Sequence, residues 1–495
     1  MGFELIPLVL AAAAAAAGDP IVLDAQKQLF LDDYLVESAE NIARTIHSAR
    51  KSPANPLLWP AEPWEGTMAI VYGSILRDGE LYRMWYHGSH GVSYAESPDG
   101  LAWSKPALGL FEVDGSPTNI VIHREAEEGQ PNYMPFFYEV FGVHKDPDAA
   151  DPNRRYVLGY LSIQRDYDGP RRDPFHGGQR RGLGVAYSPD GIHWTSGEPW
   201  ATEAICDGAT HWMRDPASGH YVLYGRTKFA APDVKAACAG DPWLERYFWG
   251  RAVARVESPD FLDWDYKDPA TAPVVMASDT KDTPGDEIYS MLVFPYEGVY
   301  IGLVQMFHNQ EDTCHLDIQL AVSRDGVAFA RVGDRTPFIP CGGVGEWDRF
   351  NNSLANNPPL RVDDELRFYY GGRTYRHSPY EGPDAGESGG GIGLATIALD
   401  RFVSLDASFD GGTLLTKPLV LGGDTLHLNA TCDFGAIGIE VLGADGAVAA
   451  RAKPVRSDGL DIPVEWEEGG LANATGPVQL RFTLSNARLF AVWCE

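Results

Sequence analysis

Ser97-Pro-Asp-Gly-Leu-Ala-Trp103 is the first of four copies of a motif in which a Ser, an Asp two positions later and an aromatic residue four positions after the Asp are constant. The other copies are Ser188-Pro-Asp-Gly-Ile-His-Trp194, Ser258-Pro-Asp-Phe-Leu-Asp-Trp264 and Ser323-Arg-Asp-Gly-Val-Ala-Phe329, and a degenerate fifth is Leu399-Asp-Arg-Phe402. Successive aspartates lie 65 to 91 residues apart, which is too long for a solenoid turn and suits a four-stranded sheet with long loops. The repeat therefore predicts five similar β units.

Each copy has the residues of a tight turn next to a strand. Ser and Asp side chains bond nearby backbone N–H groups, Gly adopts a positive φ, and the aromatic residue anchors the turn. An alternating strand precedes each copy, as at residues 92–97 and 318–322, and this combination predicts a hairpin. Ser-Pro-Asp-Gly alone is a common turn, but strand, turn and aromatic residue recur together. We expect an all-β chain with a five-bladed β-propeller.

The pattern changes after Leu405. Short alternating strands without the aromatic repeat, for example residues 437–442 and 478–484, predict a C-terminal β-sandwich. We therefore expect a signal peptide at 1–17, the propeller at 18–405 and the sandwich at 406–495. We also expect residues 28–37 to form a strand that helps to close the propeller ring.

The composition excludes some functions. The formal net charge of −29 argues against nucleic acid and anionic lipid as partners, because binding them requires clustered Lys and Arg. The six Cys show no CxxC spacing, so a zinc ribbon is not indicated. Cys432 and Cys494 could pair in an oxidising compartment, and the alternative is that both are buried free thiols.

The first residues resemble an export signal. Leu5 to Ala17 is apolar and precedes Gly18-Asp-Pro20, although no Lys or Arg comes before it. The run is too short to span a bilayer. We expect a secreted or periplasmic protein without a membrane span.

Candidate catalytic residues follow from the expected geometry. The first strands of all blades line the channel of a propeller, so groups near their starts converge. Carboxylates at these places repel one another, so that one can act as an acid while another stays ionised, as cleavage of a glycosidic bond requires. The predicted acid/base pair is Asp207 and Glu287, with Glu65 and Asp348 as supporting catalytic carboxylates. Predicted substrate contacts at the same places are Trp64, Asn132, Asp286 and Trp347. A solvated loop acid is the alternative for each carboxylate, since the chain has 69 acidic residues.

Further substrate contacts are predicted at the ends of the second strands. These are His87, Arg226, His308 and Arg373, which could hold sugar hydroxyls or an anionic substituent. For His87 and His308, a histidine bonded to backbone is the alternative. The sequence contains no His-Glu-x-x-His and no Gly-x-x-x-x-Gly-Lys motif, so we expect no cofactor. The carboxylates could hold Ca²⁺ as a structural ion.

The chain resembles the five-bladed propeller glycosidases of glycoside hydrolase families 32, 43 and 68, and in particular bacterial proteins with a family 32 N-terminal-like domain. The residues that carry the resemblance are Gln28-Leu-Phe-Leu-Asp-Asp-Tyr34, Pro63-Trp-Glu65, Tyr82-Arg-Met-Trp-Tyr-His87, Trp212-Met-Arg-Asp-Pro216, Phe368-Tyr-Tyr-Gly-Gly372 and Leu399-Asp-Arg-Phe-Val-Ser-Leu405. The resemblance implies a glycosidase, a site role for Asp33 and a transition-state role for Asp215. The full Trp-x-Asn-Asp-Pro and Glu-Cys elements of family 32 are absent.

The sequence thus predicts a glycoside hydrolase that cleaves a poly- or oligosaccharide with paired carboxylates. A non-catalytic carbohydrate-binding propeller is the alternative, which Asn132 supports because an acid would be expected there. A protein-interaction propeller would leave the recurrent acids unexplained.

Overall fold

A computed structural model describes residues 19–146, 149–169, 178–202, 207, 210–266, 271–377, 389–432, 434–473 and 476–495. The expected signal peptide and Cys206 lie outside these residues. The described part is nearly all β, with short α-helices at Pro232–Ala237 and Pro242–Tyr247 and 3₁₀ turns at Pro63–Glu65, Pro152–Arg154 and Leu471–Asn473. No helix in it is long and apolar enough to cross a membrane.

Five antiparallel sheets follow one another along the chain, each built mainly from consecutive strands. Sheet 1 contains Ile75–Asp78, Leu81–Gly88, Gly91–Ser97 and Ile120–His123; sheet 2 contains Phe137–Lys145, Tyr156–Gln164, Arg180–Ser188 and Thr195–Ser196; sheet 3 contains His211–Arg214, Tyr221–Lys228, Arg251–Ser258 and Val274–Met276; sheet 4 contains Glu287–Tyr296, Val299–His308, His315–Ser323 and Ala330–Arg331. Sheet 5 contains Ser353–Leu354, Leu360–Val362, Glu365–Arg373, Gly390–Ala398 and, from the N-terminal region, Arg50–Lys51. A small ribbon pairs Glu112–Val113 with Ser116–Pro117.

The Ser-x-Asp motif forms the same turn in the first, second and fourth copies, and the third copy shares the backbone bonds to its Asp. In the first copy, Ser97 Oγ accepts a hydrogen bond of 2.9 Å from the N–H of Gly100. The Asp99 carboxylate accepts bonds of 2.7 and 2.9 Å from the N–H groups of residues 101 and 102. Ser323 and Asp325 accept the equivalent bonds in the fourth copy. Local side-chain bonds to the backbone therefore explain why this sequence recurs.

Buried apolar clusters join successive sheets. One cluster contains residues of sheets 1 and 2, and others connect sheets 2 and 3, sheets 3 and 4, and sheets 4 and 5. A fifth cluster connects sheet 5 back to sheet 1, with Tyr86 and Tyr369 among its members. The five sheets are thus in contact in cyclic order.

Hydrogen bonds from aromatic residues support the same order. The Trp85 indole of sheet 1 donates to the carbonyl of Gly191 beside sheet 2 at 2.8 Å. The Tyr224 hydroxyl of sheet 3 donates to the carbonyl of Gly326 at 2.8 Å. Both acceptors are motif glycines, so these two motif turns each receive a bond from the preceding sheet.

Two further six-stranded sheets combine strands from both ends of the chain. Sheet 6 contains Gln28–Leu29, Ala43–Ile46, Val403–Ala407, Leu426–Thr431, Gly459–Pro463 and Ala487–Cys494; sheet 7 contains Val36–Glu40, Gly412–Thr416, Ala436–Leu442, Val448–Ala452, Trp466–Glu468 and Gln479–Ser485. Ile21–Leu23 pairs in parallel with Leu419–Leu421. Buried side chains of both sheets form one apolar cluster.

The N-terminal segment differs from the prediction. Residues 28–37 were expected to close the ring of five sheets, but Gln28–Leu29 pairs with the last strand of the chain. Arg50–Lys51 instead pairs with Gly390–Ala398 and completes sheet 5. A short alternating stretch fits either partner, so the pattern alone could not select between them.

Cys432 and Cys494 are buried free thiols. Cys494 pairs with Leu426 at the start of strand Leu426–Thr431, whereas Cys432 follows its end. At the usual strand rise of about 3.3 Å per residue, the two sulfurs are on the order of 20 Å apart, too far for a disulfide.

Candidate active site

A cavity of 530 Å³ lies near the starts of the first strands and receives residues from all five sheets or the loops between them. Its lining residues are Met68, Ile70, Tyr72, Arg124, Tyr138, Glu139, Ile163, Arg165, Gln179, Arg181, Asp207, Tyr289, Arg373, Tyr375 and His377. Two of them, Glu139 and Asp207, are carboxylic acids. The cavity therefore has acidic groups, guanidinium groups and aromatic rings in one space.

Asp207 is held by two arginines. Arg181 Nη2 lies 2.7 Å from Asp207 Oδ1, and Arg226 Nη1 contacts the other carboxylate oxygen. Burial lowers the pKa of Arg226, but the charge of Asp207 and then Tyr289 raise it above the ordinary value. The two guanidinium groups stabilise the charged form of the Asp207 carboxylate and fix its orientation.

Glu139 has the opposite electrostatic environment. Burial and the nearby charge of Asp207 raise its pKa to about 7, and Arg373, Arg124 and Arg181 only partly oppose this shift. A carboxyl group with such a pKa is protonated in a large fraction of molecules at neutral pH. The same cavity thus contains a partly protonated carboxyl group, Glu139, and a carboxylate paired with two arginines, Asp207.

An irregular strand positions Glu139. The first strand of sheet 2 shifts register between Phe137 and Glu139 and again between Val140 and Gly142. Phe136, just before it, has a φ of 61°, a left-handed conformation that costs about 1–3 kcal/mol for a bulky residue. His87 Nε2 accepts a bond of 2.7 Å from the N–H of Val140. Burial and then the charge of Arg124 lower the pKa of His87 to about 3, so its ring is neutral and can accept this bond.

Tyrosines connect the two sides of the cavity. The Arg226 guanidinium lies 4.0 Å from the centre of the Tyr289 ring, and its Nε donates to the Tyr289 carbonyl at 3.1 Å. Tyr289 Oη lies 3.1 Å from His377 Nε2. Arg373 Nη2 donates to the Tyr72 hydroxyl at 3.3 Å. These contacts hold aromatic faces and hydroxyl groups beside Asp207.

The predicted acids Glu65 and Asp348 are buried outside the lining of this cavity and share one pattern of contacts. Glu65 accepts bonds from Lys105 Nζ at 2.7 Å and from the Tyr86 hydroxyl at 2.5 Å. Asp348 accepts from Lys51 Nζ at 2.6 Å and from the Tyr370 hydroxyl at 2.8 Å. Burial raises the pKa of Glu65, but the bonds from Lys105 and Tyr86 together bring it below the ordinary value.

Glu287 is also buried and fully engaged. Its Oε1 accepts bonds of 2.9 Å from the N–H groups of Trp249 and Arg251, and its Oε2 lies 2.6 Å from Arg251 Nη1. Asn309 Nδ2 adds a bond of 3.3 Å. Of the four predicted catalytic acids, the structure brings only Asp207 into the cavity lining.

Asp286 and His308 form a separate charged group with Asp317. The two ring nitrogens of His308 lie 3.1 Å from Asp286 Oδ2 and 3.1 Å from Asp317 Oδ2. Burial lowers the pKa of His308, but the bonds from both carboxylates raise it to about 10. His308 is therefore a positive charge between two buried negative ones.

The remaining predicted contacts have structural partners. Trp64 donates to Asn119 Oδ1 at 2.7 Å, and Trp347 packs on the Tyr370 ring at 5.5 Å between centres. Asn132 binds the carbonyls of Val121 and Ile192 and the N–H of Trp194. Asp33 is exposed and lies 2.5 Å from Arg44. Asp215 accepts bonds from Ser218 in its own turn and from the Tyr300 hydroxyl of sheet 4.

The described residues contain no group of three or more His, Cys, Asp or Glu side chains that could hold a metal ion. Glu65 and Asp348 are neutralised by lysines, and Glu287 by Arg251. These carboxylates do not form a cage of oxygen ligands of the kind that Ca²⁺ needs.

Sequence analysis missed Glu139 and three cavity arginines, Arg124, Arg165 and Arg181. Glu139 is the sole acid in strand Phe137–Lys145, but it lies inside the strand, whereas the predicted acids lie at or just before the starts of the first strands, where this unit has Asn132. Arg165 directly follows the second strand of sheet 2, the position that selected Arg226 and Arg373 in other sheets, and could have been found by the same rule. Arg124 and Arg181 carried no comparable signal.

No protein-family model and no curated protein sequence matches the chain. Among solved structures, a glycosyl hydrolase from Bacteroides ovatus is 13% identical over 72% of this chain and 95% of that chain, with a TM-score of 0.44. A structure reported for the GH130 family of mannoside phosphorylases, which contains glycoside hydrolases that target β-1,2 mannosidic linkages in Candida mannan, is 15% identical over 77% and 97%, with a TM-score of 0.43. An N-acetylgalactosamine deacetylase from F. plautii in complex with blood group B trisaccharide is 15% identical over 77% and 96%, with a TM-score of 0.40. Values this low assign no reaction and no residue role, and the resemblance to families 32, 43 and 68 stays a prediction.

Proposed function

We propose that the protein is a glycoside hydrolase whose active site is the cavity that contains Glu139 and Asp207. The observation that carries the proposal is the contrast between these two acids. Glu139 has a pKa of about 7, whereas Asp207 is held by Arg181 and Arg226. Cleavage of a glycosidic bond requires such a pair, one acid to protonate the leaving oxygen and one carboxylate to face the sugar.

In the proposed reaction, Glu139 donates its proton to the glycosidic oxygen as the bond from that oxygen to the anomeric carbon breaks. Asp207 stabilises the positive charge that develops on the sugar ring. Water supplies the hydroxyl group of the new reducing end, either directly or after attack by Asp207, and its proton returns to a carboxylate. The Asp207 carboxylate is fixed before substrate arrives, so it needs little reorganisation during the reaction.

We also propose the architecture that the sequence predicts, a five-bladed propeller around the cavity with a sandwich of sheets 6 and 7 beside it. The cyclic order of the apolar clusters supports the propeller. The single cluster shared by sheets 6 and 7 supports the sandwich. The apolar run at residues 5–17 supports a secreted or periplasmic location.

A non-catalytic carbohydrate-binding protein is the second candidate. The observation that favours it is that both oxygens of Asp207 already contact arginines, which lowers the capacity of this carboxylate to act as a base. The cavity, with Tyr72, Tyr289 and Tyr138 in its lining, would then bind a sugar without cleaving it.

The test is incubation of the protein with a panel of plant and algal polysaccharides, with new reducing ends as the readout. A glycosidase releases reducing ends from at least one polysaccharide, and Asp207→Asn abolishes this release while the protein stays folded, although loss of the ion pairs with Arg181 and Arg226 lowers its melting temperature. Binding to a polysaccharide without any release would contradict hydrolysis and support the second candidate.

A further inference from the structure

We infer that the cavity recognises an anionic substituent, a carboxylate or sulfate, on the sugar through Arg124 and Arg165 beside Tyr138. The inference concerns the substrate class and rests on the proposed function only in that the ligand is a saccharide. It uses two arginines, neither of which forms an ion pair with Asp207 or Glu139 in the described part of the chain.

The cavity has more positive than negative groups in its lining. Its lining includes four arginines, Arg124, Arg165, Arg181 and Arg373, against the carboxylate of Asp207 and the partly protonated Glu139. The whole chain carries a formal net charge of −29. A local excess of positive charge on a strongly acidic protein selects and attracts an anionic ligand.

The four arginines of the lining have different partners. Arg181 forms an ion pair with Asp207, and Arg373 contacts the Tyr72 hydroxyl. Arg124 and Arg165 line the same cavity and are exposed, and no described carboxylate forms an ion pair with either of them. An ion pair of these two with a ligand therefore does not have to break one within the described part of the protein.

Arg124 and Arg165 lie beside the same aromatic ring of the cavity. The guanidinium carbons of Arg124 and Arg165 lie 5.6 and 6.0 Å from the centre of the Tyr138 ring, and Tyr138 precedes Glu139 in the chain. An aromatic face can stack on the C–H surface of a sugar ring, while planar guanidinium groups bind the oxygens of a carboxylate or sulfate in pairs. The arrangement places a ring platform and two anion-binding groups next to the proposed proton donor.

The experiment compares acidic oligosaccharides with partners that differ only in the anionic group. Oligogalacturonate is paired with its methyl ester, and a sulfated carrageenan oligosaccharide with its desulfated form. Binding is measured by calorimetry at low and high salt, and release of reducing ends is measured separately. The two pairs distinguish a carboxylate from a sulfate.

Wild-type protein is expected to bind at least one acidic oligosaccharide roughly tenfold or more tightly than its neutral partner, and added salt should weaken this binding. The double variant R124Q/R165Q should lose that preference while keeping the wild-type melting temperature, since both side chains are exposed. The matched control is Arg77→Gln, because Arg77 is also exposed and lies 5.8 Å from a tyrosine ring, Tyr82, outside the cavity lining. This control should bind like wild type.

Equal binding of acidic and neutral partners, or no binding of either acidic oligosaccharide, would overturn the inference. So would a preference for the acidic partner that survives in R124Q/R165Q. Failure of the proposed function is a different result, namely selective binding of the acidic partner without any release of reducing ends. Cleavage of neutral sugars with no anion preference would leave the glycosidase proposal intact and reject this one.

Discussion

The Tyr369 hydroxyl donates a hydrogen bond of 2.9 Å to the carbonyl of Gly100 and so joins sheet 5 to the first motif turn. Because both groups are buried, Tyr369→Phe leaves that carbonyl without its partner, and we expect it to lower the free energy of unfolding by about 1 kcal/mol. Tyr224→Phe, which removes the equivalent bond to Gly326, should have a similar effect. Tyr82→Phe is the control in the same denaturant unfolding experiment. An equal decrease in its free energy of unfolding would show that the hydrogen bonds between sheets are not the cause of the loss.

Asp207 and Asp215 lie close in the sequence but have different surroundings, and this difference is testable. Asp207→Asn should lower kcat/KM by at least about a thousandfold, because it removes the ionised carboxylate from the cavity. Asp215→Asn should keep kcat/KM near that of wild type and lower the melting temperature, because Asp215 bonds Ser218 and Tyr300 outside the cavity lining. Loss of turnover in Asp215→Asn at an unchanged melting temperature would return the transition-state role to Asp215.

Glu139 should make stability depend on pH. Its pKa is raised in the folded protein, mainly by burial, so its contribution to stability is fully present below the ordinary pKa of 4.5 and is lost as the pH rises through about 7. The melting temperature of Glu139→Gln, relative to wild type, should therefore increase between pH 4.5 and pH 8. A difference that stays constant over this range would show that the pKa of Glu139 is not raised.

His308 should stabilise the folded protein through its protonated, positively charged form. Its folded pKa of about 10 exceeds the ordinary 6.5, so its contribution is fully present below pH 6.5 and is lost as the pH rises through about 10. His308→Gln leaves Asp286 and Asp317 without their shared positive partner, and we expect a loss of about 3 kcal/mol at pH 6. The difference from wild type in chemical denaturation should shrink towards pH 10, and a difference that grows with pH would exclude a charged His308.

The repeated strand and turn units could be predicted from the sequence because hydrogen bonds within a few residues specify each turn. Ser97, Asp99 and Gly100 satisfy one another within a single turn, so the motif is visible in a window of a few residues. The strand that completes sheet 5 could not be predicted from such local interactions. Arg50–Lys51 joins sheet 5 through pairing with residues more than three hundred positions away, and nothing in its own sequence specifies that partner.

The candidate site was accessible only in part, for two physical reasons. Glu65 and Asp348 occupy the starts of their units, but Lys105 and Lys51, distant in sequence, neutralise them. Glu139 lies inside a strand that shifts register twice, so counting from the start of the unit does not reach it. Ion pairs and bulges are set by tertiary structure, whereas the position of Asp207 before its strand follows from the repeat.

The pH dependence of kcat/KM on a substrate from the polysaccharide panel tests most directly whether Glu139 is the proton donor beside Asp207. Activity should fall on the alkaline side with an apparent pKa near 7, because only protonated Glu139 can donate. Glu139→Gln should lower kcat/KM by roughly a hundredfold or more at pH 6 and abolish that alkaline limb. A profile without the limb in wild type, or Glu139→Gln with wild-type turnover at pH 6, would contradict the account.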